Sequence, residues 1–489
     1  MRQNRQEQSR GRSGRVHRPG KKWIFALLAV LFVSGCVTVG PDYVPPEIRK
    51  PAQWIAGADE KAGGGSDPQS LAQWWSVLND PLLTDLVERA VRGNLDLKQA
   101  EARIREARAR RGIARANQFP TLDATGSAQL RRSSASTGTG KESDFFSLGF
   151  DSAWELDLFG GIRRSVEAAD ADIDARIESF RDVMVSLTAE VAFNYVEVRS
   201  FQTRLSIALA HQDAQAETHE IVRARFNAGL TSLLDVEQAD FNLQQTRSQI
   251  PALRSGLEQA KNRLSVLLGE SPGHLSKMLS VTKPIPVSSI QVVLGIPAET
   301  LRRRPDVRAV ERALAAQSAR VGVATADLYP RFTLLGSIGL ESFSSGSLFQ
   351  SDSRAFLLGP SLHWPIFNAG AIRRNIAVQT ALQEQALIAY EATVLRVLQE
   401  VENALIAYGE EQLRRASLVK ASDAAARAVD LATDRYQSGL EAFQTVLDSQ
   451  RSLLSLQDQL AASEGEVTSN LIRLYKALGG GWMPMSGTG

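Results

Sequence analysis

The feature that most constrains this chain is an internal repeat with one constant offset. Trp154 and Trp364 lie 210 residues apart, and the same spacing separates Gly149 from Gly359. Further pairs at this offset are Pro120 and Pro330, Arg225 and Arg435, Gly229 and Gly439, and Gly269 and Gly479. The register holds without a gap from about residue 94 to 269 and from 304 to 479. The sequence therefore predicts one structural unit used twice.

Two segments in each unit alternate apolar and polar residues with a period of two. Apolar residues on one face include Leu122, Leu130, Phe146, Leu148, Phe150 and Trp154 in the first unit, and Phe332, Leu334, Ile338, Phe356, Leu358 and Trp364 in the second. Such alternation over about ten residues is typical of transmembrane β-strands. The pattern alone leaves open a soluble two-stranded hairpin packed on helices.

Long helices are predicted after these strands. About 65 residues between Gly161 and Gly229 contain neither proline nor glycine, which as one helix gives roughly 100 Å. Apolar residues recur there in heptads, a pattern that indicates coiled-coil packing. The heptad positions are Ile177, Met184, Val191, Val198 and Leu205, with Leu387, Tyr390, Val394, Val397, Val401, Ala404 and Tyr408 in the second unit. Pro251 is expected to kink or interrupt the shorter returning helix.

Four predicted strands cannot close a membrane barrel alone, because the smallest transmembrane barrels have eight. An open edge in lipid leaves backbone groups unsatisfied, at several kcal/mol each. If the strands enter a membrane, strands from several chains must join: two chains give eight strands, and three give twelve and room for a lumen.

The net charge of +2 conceals an uneven distribution. Residues 1–35 carry eight Lys/Arg and one acid, so this segment is +7 and the remainder is −5. The apolar run 23–33 is too short to span a bilayer, which takes about 20 residues, and its basic flank fits a secretory signal. A basic nucleic-acid arm is the alternative, against which the adjoining apolar run argues.

The only cysteine follows this run. Val33-Ser34-Gly35-Cys36 resembles a bacterial lipobox, in which the cysteine is lipidated and becomes the first residue of the mature protein. An incidental cysteine after an ordinary signal is the alternative. Val37 after the cysteine favours the outer membrane over retention at the inner membrane. A single cysteine excludes an intramolecular disulfide framework and any multi-cysteine metal site.

Several segments carry a specific family resemblance. They are Gly40-Pro41-Asp42-Tyr43, Trp74-Trp75, Asp80-Pro81-Leu82, Asn94-Leu95-Asp96-Leu97, Asp157-Leu158-Phe159-Gly160, Gly295-Ile296-Pro297-Ala298 and Arg303-Arg304-Pro305-Asp306-Val307. Together they resemble the TolC-type outer-membrane efflux channel family, in its lipoprotein (OprM/NodT-like) branch. The resemblance implies a mainly α-helical fold with transmembrane β-strands. Each chain of a homotrimer would give four strands to a twelve-stranded β-barrel, continued by a long periplasmic α-helical coiled-coil barrel.

The expected organisation follows from the repeat and the resemblance. Residues 1–35 are a lipoprotein signal peptide, 36–80 a lipid-anchored tether, and 81–279 the first efflux repeat. Residues 280–303 are an equatorial linker, 304–479 the second repeat, and 480–489 a tail. The resemblance implies a passive export duct for small molecules such as drugs. The implied partners are a periplasmic adaptor, an inner-membrane pump of the RND type and outer-membrane lipid, with no nucleic acid.

The resemblance also assigns roles at the two helix reversals. Arg225, Gly229, Leu230, Arg435, Gly439 and Leu440 form the expected adaptor-contact tips. Asp448 matches an acidic ring at the periplasmic aperture, while Asp235 and Tyr436 match a polar latch between neighbouring coils. Two positions depart from the family pattern, Thr445 at a ring position and Glu441 at a latch position. Solvated surface carboxylates are the alternative for the acidic residues.

No enzyme signature is present in the sequence. The five histidines have no metal-ligand spacing beyond two on one helix, His211 and His219, eight residues apart, and neither a phosphate-binding glycine loop nor a nucleophile elbow occurs. No catalytic residue, metal or cofactor is predicted beyond a covalent lipid on Cys36. A lipid-anchored periplasmic coiled-coil scaffold without a pore remains the alternative function. Only a channel needs the apolar faces of 146–158 and 356–366 to meet lipid.

Overall fold

The computed structural model describes residues 38–47, 71–138, 140–286 and 302–482. They fall into two compact units. The first is drawn from Met1–Asp42, Ile113–Glu167 and Ser318–Thr380, and the second from Tyr43–Gly112, Ala168–Gln317 and Ala381–Gly489. Cys36 and the motif at 295–298 lie outside the described residues.

The first unit contains a four-stranded antiparallel sheet in the order β1-β2-β3-β4. The strands are β1 (Thr121–Arg132), β2 (Glu142–Leu156), β3 (Arg331–Ser342) and β4 (Arg354–His363). The pairing of β1 with β2 recurs between β3 and β4, with every partner moved along the chain by the repeat offset. Thr121 thus lies opposite Ala153, and Arg331 lies opposite His363. The repeat is confirmed at the level of strand register.

The two faces of the sheet differ in polarity, as the alternation predicts. On the apolar face Phe356 is 85% exposed, Leu358 75% and Leu130 72%. On the polar face Thr125 Oγ1 donates to Asp151 Oδ2 at 2.8 Å. A soluble hairpin would bury its apolar face, so this sheet does not fit that alternative.

The same tryptophan contact recurs where each hairpin leaves the sheet. Trp154 Nε1 donates to the Gln118 carbonyl at 3.0 Å, and Trp364 Nε1 donates to the Leu328 carbonyl at 3.1 Å. Indole N–H groups in apolar surroundings need an acceptor, which the end of the preceding helix supplies. The matching tryptophans therefore hold matching helix–strand junctions.

A short segment, Thr38–Asp42, docks against one of these junctions. The Arg164 side chain is almost fully buried and donates to the Val39 carbonyl at 3.2 Å and to Asp42 Oδ1 at 2.7 Å. Gly40 has φ 91°, and a Cβ there would overlap the Cα of Gly322. The first residues of the Gly-Pro-Asp-Tyr motif are thus required for close backbone contact and for an ion pair.

Seven α-helices lie wholly within the described part of the chain. They are α1 (Pro81–Gly93), α2 (Leu95–Ala116), α3 (Gly161–Asn227), α4 (Leu233–Leu267), α5 (Pro305–Ala326), α6 (Ala371–Gln437) and α7 (Phe443–Ala477). The long helices α3 and α6 have 67 residues each, and α4 and α7 have 35 each. The predicted long helices are confirmed. Among the described residues, none of the helices has the length and apolar character needed to cross a membrane.

Of the two expectations for Pro251, a kink or an interruption, the interruption is wrong. Helix α4 continues through this residue from Leu233 to Leu267. Proline removes one intrahelical hydrogen bond. The neighbouring Ile250 and Leu253 side chains are buried against Ala208, however, and this packing holds the helix on both sides of the proline.

The predicted heptads form the seams of the second unit. Val191 and Val198 of α3 are fully buried, and Val397 and Val401 of α6 are at most 1% exposed. The first pair belongs to the largest core cluster, together with residues of α1, α4 and α7. Apolar burial at these positions stabilises the helix packing by about 2 kcal/mol per valine-sized side chain.

A buried polar network crosses this core. Arg199 is 1% exposed and donates from Nη1 to the Val281 carbonyl at 2.8 Å and from Nη2 to the Tyr195 hydroxyl at 3.0 Å. The Tyr195 hydroxyl in turn donates to Asp80, whose other carboxylate oxygen caps α1 by accepting from the Leu82 N–H at 2.9 Å. Burial is the main cause that raises the pKa of Tyr195, and the hydrogen bond to Asp80 adds to it. The network ties α1, α3 and the segment after α4 together.

Replacement of Arg199 is therefore expected to destabilise the protein. Arg199→Ala leaves the Val281 carbonyl and the Asp80–Tyr195 pair without their buried donor, which lowers the free energy of unfolding by about 3 kcal/mol. Arg204→Ala is the matched control on α3, because Arg204 makes a partly exposed pair with Asp458 at 2.7 Å, which contributes about 1 kcal/mol or less. Thermal unfolding of the solubilised protein, followed by circular dichroism, measures both. Equal shifts for the two variants would contradict the assignment.

Candidate functional site

The first helix reversal, between α3 and α4, is closed by a Schellman cap. The Gly229 N–H donates to the Phe226 carbonyl at 2.8 Å, and the Leu230 N–H donates to the Arg225 carbonyl at 2.9 Å. Gly229 has φ 72°, the left-handed region that a side chain disfavours. Arg225 therefore contributes its carbonyl to the reversal, while its side chain is free to act elsewhere.

The second reversal, between α6 and α7, repeats this geometry. The Gly439 N–H donates to the Tyr436 carbonyl at 3.0 Å, and the Leu440 N–H donates to the Arg435 carbonyl at 2.9 Å. Gly439 has φ 75°. The shared motif places Leu230 and Leu440 just after the two glycines, where their side chains are 68% and 70% exposed.

The two reversals pack against each other through one apolar cluster, which we call the tip cluster. It consists of Val222, Ala239, Ala432, Tyr436, Phe443, Val446 and Leu447. Because these residues come from α3, α4, α6 and α7, the ends of all four helices share one small core. The same cluster thus holds both reversals, which carry the predicted adaptor-contact residues.

Within this cluster Tyr436 contacts side chains of both hairpins. Its ring centroid lies 5.2 Å from that of Phe443 and 5.0 Å from the guanidinium carbon of Arg225. Arg225 Nη1 also donates to the Gln437 carbonyl at 3.5 Å, so this arginine connects the two hairpins. The stacked guanidinium is attracted by the ring's electron-rich face, an interaction of about 0.5–2 kcal/mol.

Two polar atoms in this stack have no hydrogen-bond partner among the described residues. They are the Tyr436 hydroxyl and Arg225 Nε, both buried. A buried hydroxyl without a partner costs about 1–3 kcal/mol. The structure therefore brings Arg225 and Tyr436 together and leaves one donor on each unused within the described chain.

Asp235 serves as a local helix cap. It forms a capping box with Ser232, and its carboxylate also accepts from the Thr231 hydroxyl. The Ser-x-x-Asp spacing at the start of α4 is a sequence signal for such a box. The repeat counterpart is Thr445, whose hydroxyl instead donates to Glu441 Oε1 at 3.1 Å. The two repeats thus begin their returning helices with different polar contacts.

Asp448 presents its carboxylate at the surface of α7. The side chain is 60% exposed, Oδ1 accepts from Gln444 Nε2 at 2.9 Å, and Arg451 Nη1 lies 3.7 Å away. At the neighbouring reversal Arg435 Nε lies 3.6 Å from Glu441 Oε2. The tip therefore carries exposed carboxylates that are only partly compensated by arginines.

Sequence reasoning missed two members of this site. Phe443 packs on Tyr436, and Arg451 lies near Asp448 while stacking on the Phe241 ring at 5.6 Å. Arg451 stands three residues after Asp448, a spacing that places both on one helix face and could have revealed the pair. No comparable local signal marks Phe443, because its contact comes from a different helix. Within the described ranges, no group of three or more His, Cys, Asp or Glu side chains is placed to hold a metal.

Comparison with known proteins identifies the class. The family model for the outer membrane efflux protein matches twice, at residues 86–270 and 296–480, so the second match begins and ends one repeat offset after the first. Nodulation protein T of Rhizobium leguminosarum bv. trifolii is 32% identical over 468 residues, which cover 94% of this chain and 97% of that protein. The solvent efflux pump outer membrane protein SrpC of Pseudomonas putida is 33% identical over 468 residues, 93% of this chain and 97% of that protein.

A solved structure of the outer-membrane channel OprN has a TM-score of 0.83 at 39% identity, and the match covers 91% of this chain and 100% of that one. The duplicated helix pairs, the four-stranded sheet and these matches define an outer-membrane efflux channel. The chain belongs to the outer membrane efflux protein family, and it is a channel, not an enzyme. The resemblance to TolC-type channels and the predicted fold class are confirmed.

Substitution of either tip glycine, Gly229 or Gly439, is expected to destabilise its helix reversal through backbone strain alone. A Cβ on Gly439 would meet no atom within 4 Å, so Gly439→Ala costs only the strain of φ 75°, about 1–2 kcal/mol. Gly409→Ala is the matched control, because Gly409 also has open space but lies inside α6, where alanine stabilises by about 0.5–1 kcal/mol. Backbone amides around residue 439 should exchange with deuterium about 5- to 30-fold faster in the first variant only. Unchanged exchange in Gly439→Ala would refute the strain argument.

Proposed function

We propose that this channel is a homotrimer that serves as a passive export duct for small molecules across the periplasm and outer membrane. The observation that carries the proposal is the sheet, which exposes a whole apolar face and leaves β1 and β4 each paired on one side within the described chain. Three such sheets supply twelve strands, enough to close a barrel around a lumen. The polar face, with Thr125 and Asp151, would then line the water-filled side.

The proposed cargo is small and largely apolar. SrpC is named as part of a solvent efflux pump, and a second Pseudomonas putida relative at 33% identity is named for toluene. A duct without binding chemistry leaves substrate selection to other components. We therefore propose a periplasmic adaptor and an inner-membrane pump of the RND type as partners that select the cargo and supply the energy.

The proposed membrane attachment is a lipid on Cys36. The docked segment Thr38–Asp42 supports it, because the Val39 N–H donates to the Phe159 carbonyl at 3.1 Å where β2 gives way to α3. A lipid two residues before Thr38 lies at most about 7 Å along the chain from this junction. The junction is where a strand that meets lipid would leave the membrane, so the anchor and the sheet would enter the bilayer at one level.

Deletion and complementation test the function. A strain without this gene should accumulate a fluorescent apolar drug, and the wild-type gene should restore its export. The wild-type protein should appear in the outer membrane as a heat-sensitive trimer that incorporates labelled palmitate, whereas Cys36→Ser should not be labelled. Two results together would argue against the duct: normal export in the deletion strain under conditions that induce the gene, and no trimer in the outer membrane of the wild-type strain.

The proposed adaptor contact is the apex of the paired reversals. Leu230 and Leu440 are exposed there, and Arg435 stands beside them with its side chain 60% exposed. Exposed leucines next to arginines suit an apolar contact with a polar rim. The two reversals would owe their shape to Gly229 and Gly439. Arg225 would join them through its contact with Tyr436.

We propose that Asp448 contributes to a closed aperture at this end. In a trimer three such carboxylates around one axis repel one another and attract cations. Asp235 and Tyr436 are the proposed latch residues towards a neighbouring coil, and the Tyr436 hydroxyl without a partner in the described chain supports this for the tyrosine. For Asp235 the contribution is indirect, since its carboxylate is occupied by the cap of α4.

Removal of the Asp448 carboxylate is expected to change conduction. Asp448→Ala should raise the single-channel conductance in planar bilayers and weaken block by divalent cations about ten-fold, which corresponds to roughly 1.4 kcal/mol. Asp213→Ala is the control, because Asp213 is an exposed carboxylate of α3 farther from the reversals. The same conductance and block in wild type and Asp448→Ala would exclude the aperture role.

A further inference from the structure

A cavity of about 500 Å³ lies within the first compact unit, where β2 leaves the sheet and β3 enters it. Among the segments that line it are the end of α2 with Phe119, the end of β2 with Glu155 and Asp157, and the start of β3 with Arg331. Volumes of about 300–1,000 Å³ are typical of sites for small organic molecules. The cavity is therefore large enough for one drug-sized molecule.

The cavity lies on the polar face of the sheet. Apart from Leu156 at the very end of β2, its strand residues are odd-numbered: Thr121, Ala153, Glu155, Arg331 and Thr333. In these strands the even-numbered positions carry the apolar face, and the odd-numbered positions lie on the opposite face. The proposed trimer turns the polar face towards the lumen, so the cavity would lie beside the path of the cargo.

The charged groups of the cavity are three carboxylates and one arginine, namely Glu155, Asp157, Asp327 and Arg331. Asp157 Oδ2 accepts from the Arg163 N–H at 2.9 Å at the start of α3, and Arg331 Nη2 donates to Asp327. The Glu155 carboxylate has neither a hydrogen bond nor an ion pair with any residue that the structure describes. One negative charge of the cavity thus has no partner within the described chain.

The second repeat shows that the fold does not need a carboxylate at this position. Pro365 stands one repeat offset after Glu155 and carries no charge. Trp364, next to this proline, nevertheless makes the same junction contact as Trp154. The helix–strand junction therefore forms without a carboxylate there, and the charge of Glu155 is available for a ligand.

Aromatic side chains form part of the wall of the cavity. Phe119 and Phe159 both line it. The Phe119 side chain is 58% exposed, and the Phe159 ring stacks on Tyr329 with the centroids 4.7 Å apart. The faces of aromatic rings attract cations. One free carboxylate in a cavity with aromatic walls suits an organic cation better than a metal ion, which needs several oxygen ligands at short distance.

We propose that this cavity binds amphipathic organic cations, with Glu155 as the counter-ion of the positive charge and with Phe119 and Phe159 as the apolar wall. Quaternary ammonium or phosphonium ions with aromatic substituents are the class that fits. The inference rests on the proposed duct for the position of the cavity beside the lumen, and it adds a class of cargo that the duct itself recognises. The site adds a preference for cations within the duct, while the selection of cargo stays with the other components.

Binding of radiolabelled tetraphenylphosphonium tests the inference. The full-length protein is reconstituted in lipid nanodiscs, and bound cation is measured by equilibrium dialysis after subtraction of empty nanodiscs of the same lipid. Wild type should bind the cation saturably, with one cation per chain. Glu155→Gln should bind it about five- to ten-fold more weakly, because the substitution keeps the shape of the side chain and removes its charge. Glu341→Gln should leave the affinity unchanged, since Glu341 lies on the same polar face at the far end of β3, outside the cavity.

Two further measurements test the apolar wall and the need for charge. Phe119→Ala should weaken cation binding about two- to five-fold, whereas Phe349→Ala, at a 76% exposed phenylalanine outside the cavity, should not. Triphenylphosphine oxide, a neutral molecule with the same phenyl groups, should compete about ten-fold less well than unlabelled tetraphenylphosphonium for the wild-type site. Glu155→Gln should remove most of this difference.

The outcomes separate this inference from the proposed function. Trimer formation is followed for wild type and variants by mild gel electrophoresis of unheated nanodisc samples. With the trimer present, the inference is overturned and the duct stands if wild type shows no saturable binding, if Glu155→Gln binds as tightly as wild type, or if Glu341→Gln weakens binding as much as Glu155→Gln does. Absence of a trimer in wild type would overturn the proposed duct, and with it the placement of the site beside a lumen.

Discussion

The outer edges of β1 and β4 each carry a row of backbone N–H and C=O groups that no strand of the described chain pairs with. In lipid each unsatisfied group costs several kcal/mol, far more than most side-chain contacts in this molecule contribute. The apolar face, with Phe356 and Leu358 exposed, prevents the sheet from being a stable surface in water. Helices α3 and α6 begin just after β2 and β4. Pairing of the outer strand edges therefore also fixes where the long helices start.

The duplication keeps the lengths of the elements constant while the side chains of the two repeats diverge, including at some positions of the tips. Both long helices have 67 residues, and both junction tryptophans donate to equivalent carbonyls. At the tips, in contrast, the capping Asp235 corresponds to Thr445, and the buried Tyr436 corresponds to the partly exposed Phe226. Constant lengths keep the two repeats equivalent in strand register and helix length. The differing side chains give the two reversals different polar contacts.

Periodicity explains how much the sequence could predict. Alternation in β1 to β4 and heptads in α3 and α6 are local patterns that report which face is buried or apolar, and they placed these elements correctly. Pro251 does not interrupt α4, because burial of Ile250 and Leu253 on either side of it outweighs the local preference of proline. The Arg199 network was not predictable, since Asp80, Tyr195 and Val281 are distant in sequence and follow no period. The stack of Arg225 on Tyr436 joins two hairpins from different repeats and is hidden for the same reason.

The balance of interactions differs between the two ends of the helical unit. Around Tyr195 the core contains many fully buried side chains and a polar network in which most donors are satisfied. The tip cluster has seven buried residues, two of them alanines, and retains a hydroxyl without a partner in the described chain. Local opening is least costly where few apolar contacts hold a segment and polar groups remain unsatisfied. Local opening is therefore expected to cost less free energy around Tyr436 and Arg225 than around Arg199.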